Sequence, residues 1–96
     1  MVTPEEARQL LVEYFAKNPP AVSGDLYVAP EWFEDEDDFL TVWGSRQFFL
    51  EGKAEYGSWN NEVLFMDKRT GEVRRDMHNA NFRKIRAMTP IDVGEG

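Results

Sequence analysis

The sequence contains no cysteine, and this absence excludes a disulfide scaffold and any metal site built on thiolates. No run approaches the roughly 18 consecutive apolar residues of a membrane-spanning helix. The N-terminal Met-Val-Thr-Pro-Glu-Glu also lacks the basic start and the apolar stretch of a signal peptide. We therefore expect a cytoplasmic protein that does not insert into a membrane.

Histidine is nearly absent as well, because His78 is the only one in the chain. It stands at the end of a strand-like run beside asparagines, where a surface or hydrogen-bonding role is the ordinary one. A single imidazole completes no metal site without carboxylates, and the sequence has no Gly-x-Ser-x-Gly elbow, no phosphate-cradling glycine loop and no His-Glu-x-x-His. The sequence therefore predicts no catalytic residue, no metal and no cofactor, and indicates a protein that is not an enzyme.

Basic residues are outnumbered, with 11 Lys and Arg against 18 Asp and Glu, for a net charge of −7. The imbalance is uneven, because residues 1–67 hold 14 acids and 4 bases, whereas residues 68–96 hold 4 acids and 7 bases. An acidic protein is repelled by nucleic acid and by anionic membranes, and it is steered toward basic partners. We expect a protein partner and no nucleic acid.

The remaining composition is that of a globular domain. Hydrophobic residues make up 42% of the 96 residues, and three Trp, three Tyr and seven Phe are available to fill a core. The length suits one domain, and no repeat or linker divides the chain. We expect residues 1–96 to form a single domain.

The first segment carries the signals of an N-terminal helix. Thr3 is a favourable N-cap, Pro4 suits the first helical position and Glu6 completes a capping box. The helix should begin at Pro4 and stop at residues 18–20, Asn-Pro-Pro, because a residue before proline is pushed out of the helical region. One face is apolar at helical spacing and should cover a sheet; it consists of Ala7, Leu10, Leu11, Tyr14 and Phe15.

Strand-like runs follow this helix. Asp25–Ala29 has the composition of a short strand, closed by Pro30. Phe39–Leu50 is interpreted as a long strand with aromatic bulk on both faces and a bulge or bend at Gly44. Such a strand would be central, with the helix on one side and a loop or a partner on the other.

A hairpin is the clearest local signal in the chain. Two strand-like runs, Glu62–Asp67 and Glu72–Met77, are joined by Lys-Arg-Thr-Gly at residues 68–71. This is the chemistry of a hairpin turn in which Gly71 takes a positive φ at a bulge. The basic pairs of this region, at residues 68–69 and 74–75, are interpreted as solvated charges that balance the acidic surface.

The last segment, Asn79–Met88, permits two interpretations. It can form a short helix with Phe82, Ile85 and Met88 turned inward, or it can be an extended tail. Together, the elements predict an α+β fold, in which an N-terminal helix packs on a small antiparallel sheet of about four strands. A short C-terminal helix is added if the first interpretation of the last segment holds.

An acidic segment with two large aromatics is the most unusual feature of the sequence, and we interpret it as a loop because like charges at this density oppose regular structure. A solvated loop, a surface for a basic partner, a Ca²⁺ site and a general acid/base pair all remain open, although the spacing is not that of an EF-hand. The candidate partner-binding residues are Glu31, Trp32, Phe33, Glu34, Asp35, Glu36, Asp37, Asp38 and, outside this segment, Trp59.

The three tryptophans have different surroundings. Trp43 lies in the long predicted strand and is expected in the core. Trp32 and Trp59 lie in segments that look irregular and are flanked by polar residues, so burial and partial exposure at an interface are equally open for both.

One family resemblance covers about residues 39–77. It is carried by Phe-Phe-Leu-Glu-Gly-Lys at residues 48–53, Trp-Asn-Asn at 59–61 and Val-Leu-Phe-Met-Asp-Lys-Arg-Thr-Gly-Glu-Val at 63–73. In these motifs the chain resembles the YrhB-like, immunity protein 35 group of small bacterial proteins, in which a helix precedes a strand ending in a Phe-Leu and Gly-type turn, a polar loop and a hairpin. The segment from Asn79 to Pro90 departs from the usual ending of the group. The resemblance implies an immunity protein that binds and neutralises a toxin, and it implies no catalytic residue.

An acidic domain without catalytic motifs suits this function, because it could occlude a basic toxin domain. An adaptor or secretion chaperone is the second hypothesis, since it also works by binding a protein. A small enzyme that uses acidic residues is the third.

Overall fold

The computed structural model describes residues 1–22, 24–56 and 62–94. The fold is α+β, as the sequence predicts, and its described residues form three α-helices and seven short strands. In chain order these are α1 Pro4–Lys17, β1 Leu26–Val28, β2 Glu31–Glu34, β3 Asp38–Leu40, β4 Trp43–Ser45, α2 Arg46–Glu51, β5 Glu62–Asp67, β6 Val73–Met77, α3 Phe82–Ala87 and β7 Thr89–Asp92.

Helix α1 begins and ends where the sequence predicts. The Thr3 hydroxyl accepts a hydrogen bond from the Glu6 N–H at 3.2 Å, and the Glu6 carboxylate accepts one from the Thr3 N–H at 3.1 Å. These reciprocal bonds satisfy two N–H groups that have no partner inside the helix. At the other end, the N–H of Asn18 donates to the carbonyl of Tyr14 before the two prolines.

The strands form two antiparallel sheets. The larger sheet has five strands in the order β6-β5-β3-β2-β7, and β1 pairs with β4 in a separate ribbon. The prediction of a small antiparallel sheet is therefore confirmed, with one strand more than expected in the main sheet and a two-stranded ribbon beside it.

Each face of the main sheet carries its own apolar cluster. Helix α1 covers one face, where Ala7, Leu11 and Phe15 pack against Trp32, Phe39, Leu64, Met66 and Val93. The short α3 covers the other, where Ile85 and Met88 pack with Phe33, Leu40, Val63 and Phe65. The apolar face predicted for α1 is confirmed as core, since Leu11 is completely buried.

The predicted hairpin is confirmed. β5 and β6 pair from Glu62↔Met77 to Met66↔Val73. Asp67 organises the turn, because its carboxylate accepts hydrogen bonds from the N–H groups of residues 69 and 70. Gly71 closes the turn at φ +76°, a conformation that side chains disfavour.

The interpretation of the acidic segment as a loop is wrong. Residues 31–34 form β2 between β3 and β7, and a tight turn at residues 35–37 leads into β3. In the turn, the Asp35 carboxylate accepts hydrogen bonds from the N–H groups of Asp37 and Asp38. This is the local capping that aspartate favours in turns. Regular structure survives the charge density because bases from elsewhere in the chain pair with three of these acids.

The long strand predicted from Phe39 to Leu50 is also wrong. The Thr41 hydroxyl and N–H both donate to the carbonyl of Leu64, after which the chain leaves the main sheet and pairs with β1 as β4. Residues 46–51 then form α2, which ends at Gly52 in the left-handed region, φ +67°. The Phe-Leu motif of the family resemblance therefore lies in a helix and not at a strand end. Apolar residues on both faces of a short run fit a strand and a helix equally well.

The C-terminal segment has the predicted short helix. A 3₁₀ turn at Asn79–Asn81 precedes α3, and Met88 is buried as expected, whereas Phe82 is exposed and not turned inward. The strand β7, which the sequence did not indicate, pairs with β2 at the sheet edge. Pro90 is tolerated there because an edge strand does not need every N–H in the ladder.

Candidate functional site: two surfaces for a protein partner

The predicted partner-binding residues do not share one environment. Trp32 is completely buried against α1, so burial is the correct one of the two alternatives that the sequence left open for this side chain. The reason is strand alternation, which directs Trp32 into one face of the sheet and Phe33, half-buried, into the other. Trp43 packs against the same cluster as Trp32, with its ring centroid 4.9 Å from that of Phe15, as expected of a core residue. Trp59 lies outside the described residues.

Two of the acids belong to an ion cluster, here called the carboxylate clamp, made of Asp35, Asp38, Arg74 and Lys84. The Arg74 guanidinium donates two hydrogen bonds to the Asp38 carboxylate, at 2.7 and 2.8 Å. Lys84 lies 2.9 Å from Asp38 and also donates to Asp35. Both cations stand over the ring of Phe65, at 5.1 and 5.6 Å from its centroid. The clamp therefore ties α3 and β6 to the turn between β2 and β3.

The clamp shifts the pKa of each carboxyl group. For Asp38, the hydrogen bonds from Arg74 lower the pKa, and they outweigh partial burial, which raises it; Lys84 lowers it further. For Asp35, partial burial raises the pKa, but the bonds from Lys84 and from two turn N–H groups outweigh it, so the net shift is also downward. Both groups are charged at neutral pH and act as fixed anions.

A third acid of the segment is paired on the opposite face. The Lys68 ammonium donates to the Glu34 carboxylate at 2.6 Å and stands 5.1 Å from the centroid of the Phe39 ring. The Lys68 side chain is only 13% exposed, which corrects the interpretation that this base is a solvated hairpin charge. Arg74 is paired in the clamp although its side chain is 44% exposed, and Arg75 is mostly exposed and pairs with Glu62 at the surface.

The exposed acids form what we call the acidic rim: Glu31, Glu36, Asp37 and Asp92. The first three come from the predicted segment, and Asp92 faces Glu31 across the β2–β7 pair. Like charges directly opposite each other on paired strands destabilise a sheet. The rim therefore combines the exposed acids of the acidic segment with Asp92 in one surface that remains available to a basic partner.

A second surface, which the sequence reasoning missed, is an apolar groove between α1, β1 and α2. It has a volume of about 710 Å³ and is lined by Val12, Leu26, Tyr27 and Leu50 together with two arginines. Val12, Leu26 and Leu50 are exposed by 39%, 41% and 53%. The signal available in the sequence was Val12, which lies on α1 outside the core-facing stripe.

Two exposed phenylalanines of α2 form an aromatic group with Tyr27, which is one of the groove residues. The ring of Phe49 lies 5.7 Å from that of Tyr27 and 5.5 Å from that of Phe48, and both phenylalanines are exposed by more than a third. Gly44 allows this approach, because a Cβ there would lie 2.8 Å from the Phe49 ring. The predicted bulge position is therefore a site of close packing.

The two arginines of the apolar groove are Arg8, from α1, and Arg46, the first residue of α2. Within the described ranges neither makes a salt bridge. The Nε of Arg8 is buried and has no hydrogen-bond partner there. A buried donor without an acceptor is costly, and guanidinium groups bind carboxylates strongly.

Asp35 and Asp38 of the acidic segment are engaged in ion pairs. Among residues 1–22, 24–56 and 62–94, no group of three His, Cys, Asp or Glu could hold a metal ion, and no helix is long and apolar enough to cross a membrane. Bonds to Arg74 and Lys84 occupy the oxygens of Asp35 and Asp38 that a Ca²⁺ ion would need. The chain matches no protein-family model, no curated protein and no solved structure.

Proposed function

We propose that this protein binds another protein through the apolar groove and acts as an immunity protein that neutralises a bacterial toxin by occluding it. The observation that carries the binding function is the clustering of exposed apolar side chains on one side of the molecule. Val12, Leu26 and Leu50 line a single concavity, and the ring of Phe49 contacts Tyr27 of the same lining. Contiguous apolar patches of this kind mark interaction sites, whereas singly scattered ones do not.

The apolar groove has features of a protein-binding surface. Leucine and phenylalanine side chains can bury apolar area against a partner, at roughly 25 cal/mol per Å² removed from water. Arginine at the margin supplies polar contacts that are typical of interfaces. The residues come from a helix, a strand and a second helix, so the surface is presented by elements of regular structure.

The acidic rim supports a basic partner. Glu31 and Asp92 place like charges opposite each other, which costs some stability and concentrates negative charge at this edge of the sheet. Together with the net charge of −7, this rim would accelerate the approach of a basic toxin domain. The toxin and the cytoplasmic location follow from the family resemblance and the composition, and both belong to the proposal.

Neutralisation of a toxin is the decisive test. Genes adjacent to the one that encodes this protein would be expressed singly in a bacterial host, and those that stop growth would be expressed again together with this protein. The expected result is restored growth, with a stable complex of the two purified proteins. A Leu26→Ser, Leu50→Ser variant should bind at least about tenfold more weakly, because it removes apolar contacts from the centre of the interface.

A matched control is available on the rest of the surface. Met77 and Phe82 are as exposed as the groove leucines but lie on β6 and α3, so Met77→Ser and Phe82→Ser should leave both binding and protection unchanged. Failure to relieve any growth-inhibiting neighbour would reject the immunity function. A harmless partner that nevertheless binds through the groove would favour the adaptor or chaperone hypothesis instead.

A further inference from the structure

One wall of the apolar groove is the open edge of a strand. Within the described part of the chain, β1 pairs with β4 and with no other strand. The N–H of Ala29 donates to the carbonyl of Val42, on the β4 side. Because successive residues of a strand direct their backbone groups to opposite edges, the N–H and C=O groups of Leu26 and Val28 face away from β4. Leu26 and Val28 both line the groove, so these outward backbone groups are available to a further strand.

The charge in the groove is opposite to that of the molecule as a whole. Arg8 and Arg46 line it without a salt bridge among the described residues, although the chain carries a net charge of −7. Arginine cannot lose its proton in a protein, and the buried Nε–H of Arg8 lacks an acceptor there. An incoming carboxylate could accept charge-assisted hydrogen bonds from the guanidinium groups of both arginines.

The apolar side chains of the groove set the rest of the ligand's chemistry. Val12 on α1 and Leu50 on α2 stand with Leu26 of β1 around the same concavity. A segment that extended along β1 would direct alternate side chains toward this lining and the intervening ones toward solvent or the arginines. The complementary sequence therefore has apolar residues at alternate positions and a carboxylate nearby.

We propose that the groove binds an extended acidic and apolar segment of the partner protein, which pairs with the open edge of β1 and places a carboxylate against Arg8 and Arg46. This inference rests on the proposed protein-binding function and adds the chemistry of the segment that the groove accepts. The basic surface of the partner would meet the acidic rim, and this segment would meet the groove. The two contacts use different residues and can be tested separately.

The test is a titration of the full chain, labelled with nitrogen-15, with three short synthetic peptides. They share leucine at alternate positions and carry glutamate, glutamine or lysine between them. The glutamate peptide is expected to bind at least about tenfold more tightly than the lysine peptide, because only the former pairs with guanidinium. Its binding should shift the amide signals of Leu26 and Val28 and the Nε–H signal of Arg8.

Charge-neutral variants identify the contributing arginine. Arg46→Gln, at an exposed position, should lower the affinity for the glutamate peptide about fivefold or more and leave the affinity for the glutamine peptide unchanged. Arg8→Gln should do the same, and its melting temperature would be checked because Arg8 is partly buried. Arg83→Gln is the matched control, since it makes the same charge change on α3 and should alter neither affinity.

Other results would overturn the inference. Equal affinities for the glutamate and lysine peptides, or signal shifts confined to residues outside the groove, would show that this chemistry is wrong. Sedimentation of the free protein as a dimer that dissociates on Leu50→Ser substitution would identify a second copy as the occupant. If neutralisation of a toxin depends on Leu26 and Leu50 but no peptide binds, this inference alone is overturned. If the protein neither neutralises a toxin nor binds a peptide, the proposed function is overturned as well.

Discussion

The carboxylate of Asp38 connects three elements of the fold, because it lies on β3 and bonds to Arg74 on β6 and Lys84 on α3. Asp38→Ala should lower the free energy of unfolding by about 1–3 kcal/mol, since Arg74 loses its acceptor and Lys84 keeps only Asp35. The cost stays below that of a fully buried pair because the Arg74 side chain is 44% exposed and can be rehydrated. Urea denaturation measures this difference.

Asp37 provides the control for this change. Its side chain is exposed on the same turn, so Asp37→Ala should change stability by no more than about 0.5 kcal/mol. A double-mutant cycle between Asp38→Ala and Arg74→Ala would isolate the energy of the pair. A parental urea midpoint for Asp38→Ala would show that the carboxylate clamp adds nothing to stability.

Trp32 is a core residue, and its replacement should affect folding rather than binding directly. Trp32→Ala removes a completely buried side chain and should cost about 3–5 kcal/mol. Trp32→Phe should cost much less, because it keeps most of the ring and removes an indole N–H that is buried without a partner in the described structure. Thermal melts of both variants would check this order, and equal melting temperatures for Trp32→Ala and the parent would contradict the burial.

At the level of elements, two glycines with positive φ separate backbone strain from packing. Gly71 lies at φ +76° in the hairpin turn, and a Cβ there would stand 2.6 Å from the Leu10 Cδ1. Gly52 lies at φ +67° at the end of α2, and nothing within 4 Å would meet its Cβ. Gly52→Ala should cost about 1 kcal/mol from strain alone, and Gly71→Ala about 1–3 kcal/mol.

The relative stability of the two alanine variants, Gly71→Ala and Gly52→Ala, tests this distinction between strain and packing. Denaturant unfolding should place the midpoint of Gly71→Ala below that of Gly52→Ala, because α1 packs against the turn through Leu10. The reverse order would mean that Leu10 moves aside freely. Gly71→Val should be at least as destabilising as Gly71→Ala, since a β-branched residue is strained further in this region.

At the scale of the whole molecule, the clamp makes stability depend on pH. Asp35 and Asp38 both have pKa values below the usual 3.8 in the folded protein. A carboxyl group with a lowered pKa contributes stability that is complete above its unfolded pKa and is lost as the pH falls through the folded value. The unfolding free energy should therefore fall below about pH 5, most steeply under pH 3.8.

Asp38→Asn tests the origin of this acid sensitivity. The variant should be less stable than the parent at neutral pH. The curves of stability against pH for the two proteins should converge as the pH falls, since the parent loses the same interaction by protonation. Circular dichroism melts between neutral and acid pH would measure both curves. Parallel curves would assign the acid sensitivity to other carboxylates.

The acidic rim should act on the rate of association with the partner. Glu36→Lys and Asp37→Lys together should lower the association rate severalfold and flatten its dependence on salt, because exposed charges are screened beyond about 8 Å at physiological ionic strength. Stopped-flow or surface plasmon measurements across salt concentrations would show this. Glu72→Lys, in the hairpin turn, is the control, and an equal effect there would make net charge alone responsible.

The sequence by itself determined the elements whose signals are local. The bounds of α1 follow from a capping box at Thr3 and Glu6 and from two prolines, and the hairpin follows from a turn in which one glycine adopts positive φ. In both cases the physical cause lies within a few residues of its effect. These are the parts of the fold that were predicted with their correct positions.

Only the tertiary structure decided the environment of the candidate binding residues. Lys84, which pairs with Asp35, lies 49 residues away along the chain, and Ile91 of β7, which pairs with Trp32, is more distant still. Burial of Trp32, pairing of three acids and formation of the apolar groove therefore depend on strand order and helix placement. Local propensity contains no information on such contacts, because long-range pairing determines which face of a strand is covered.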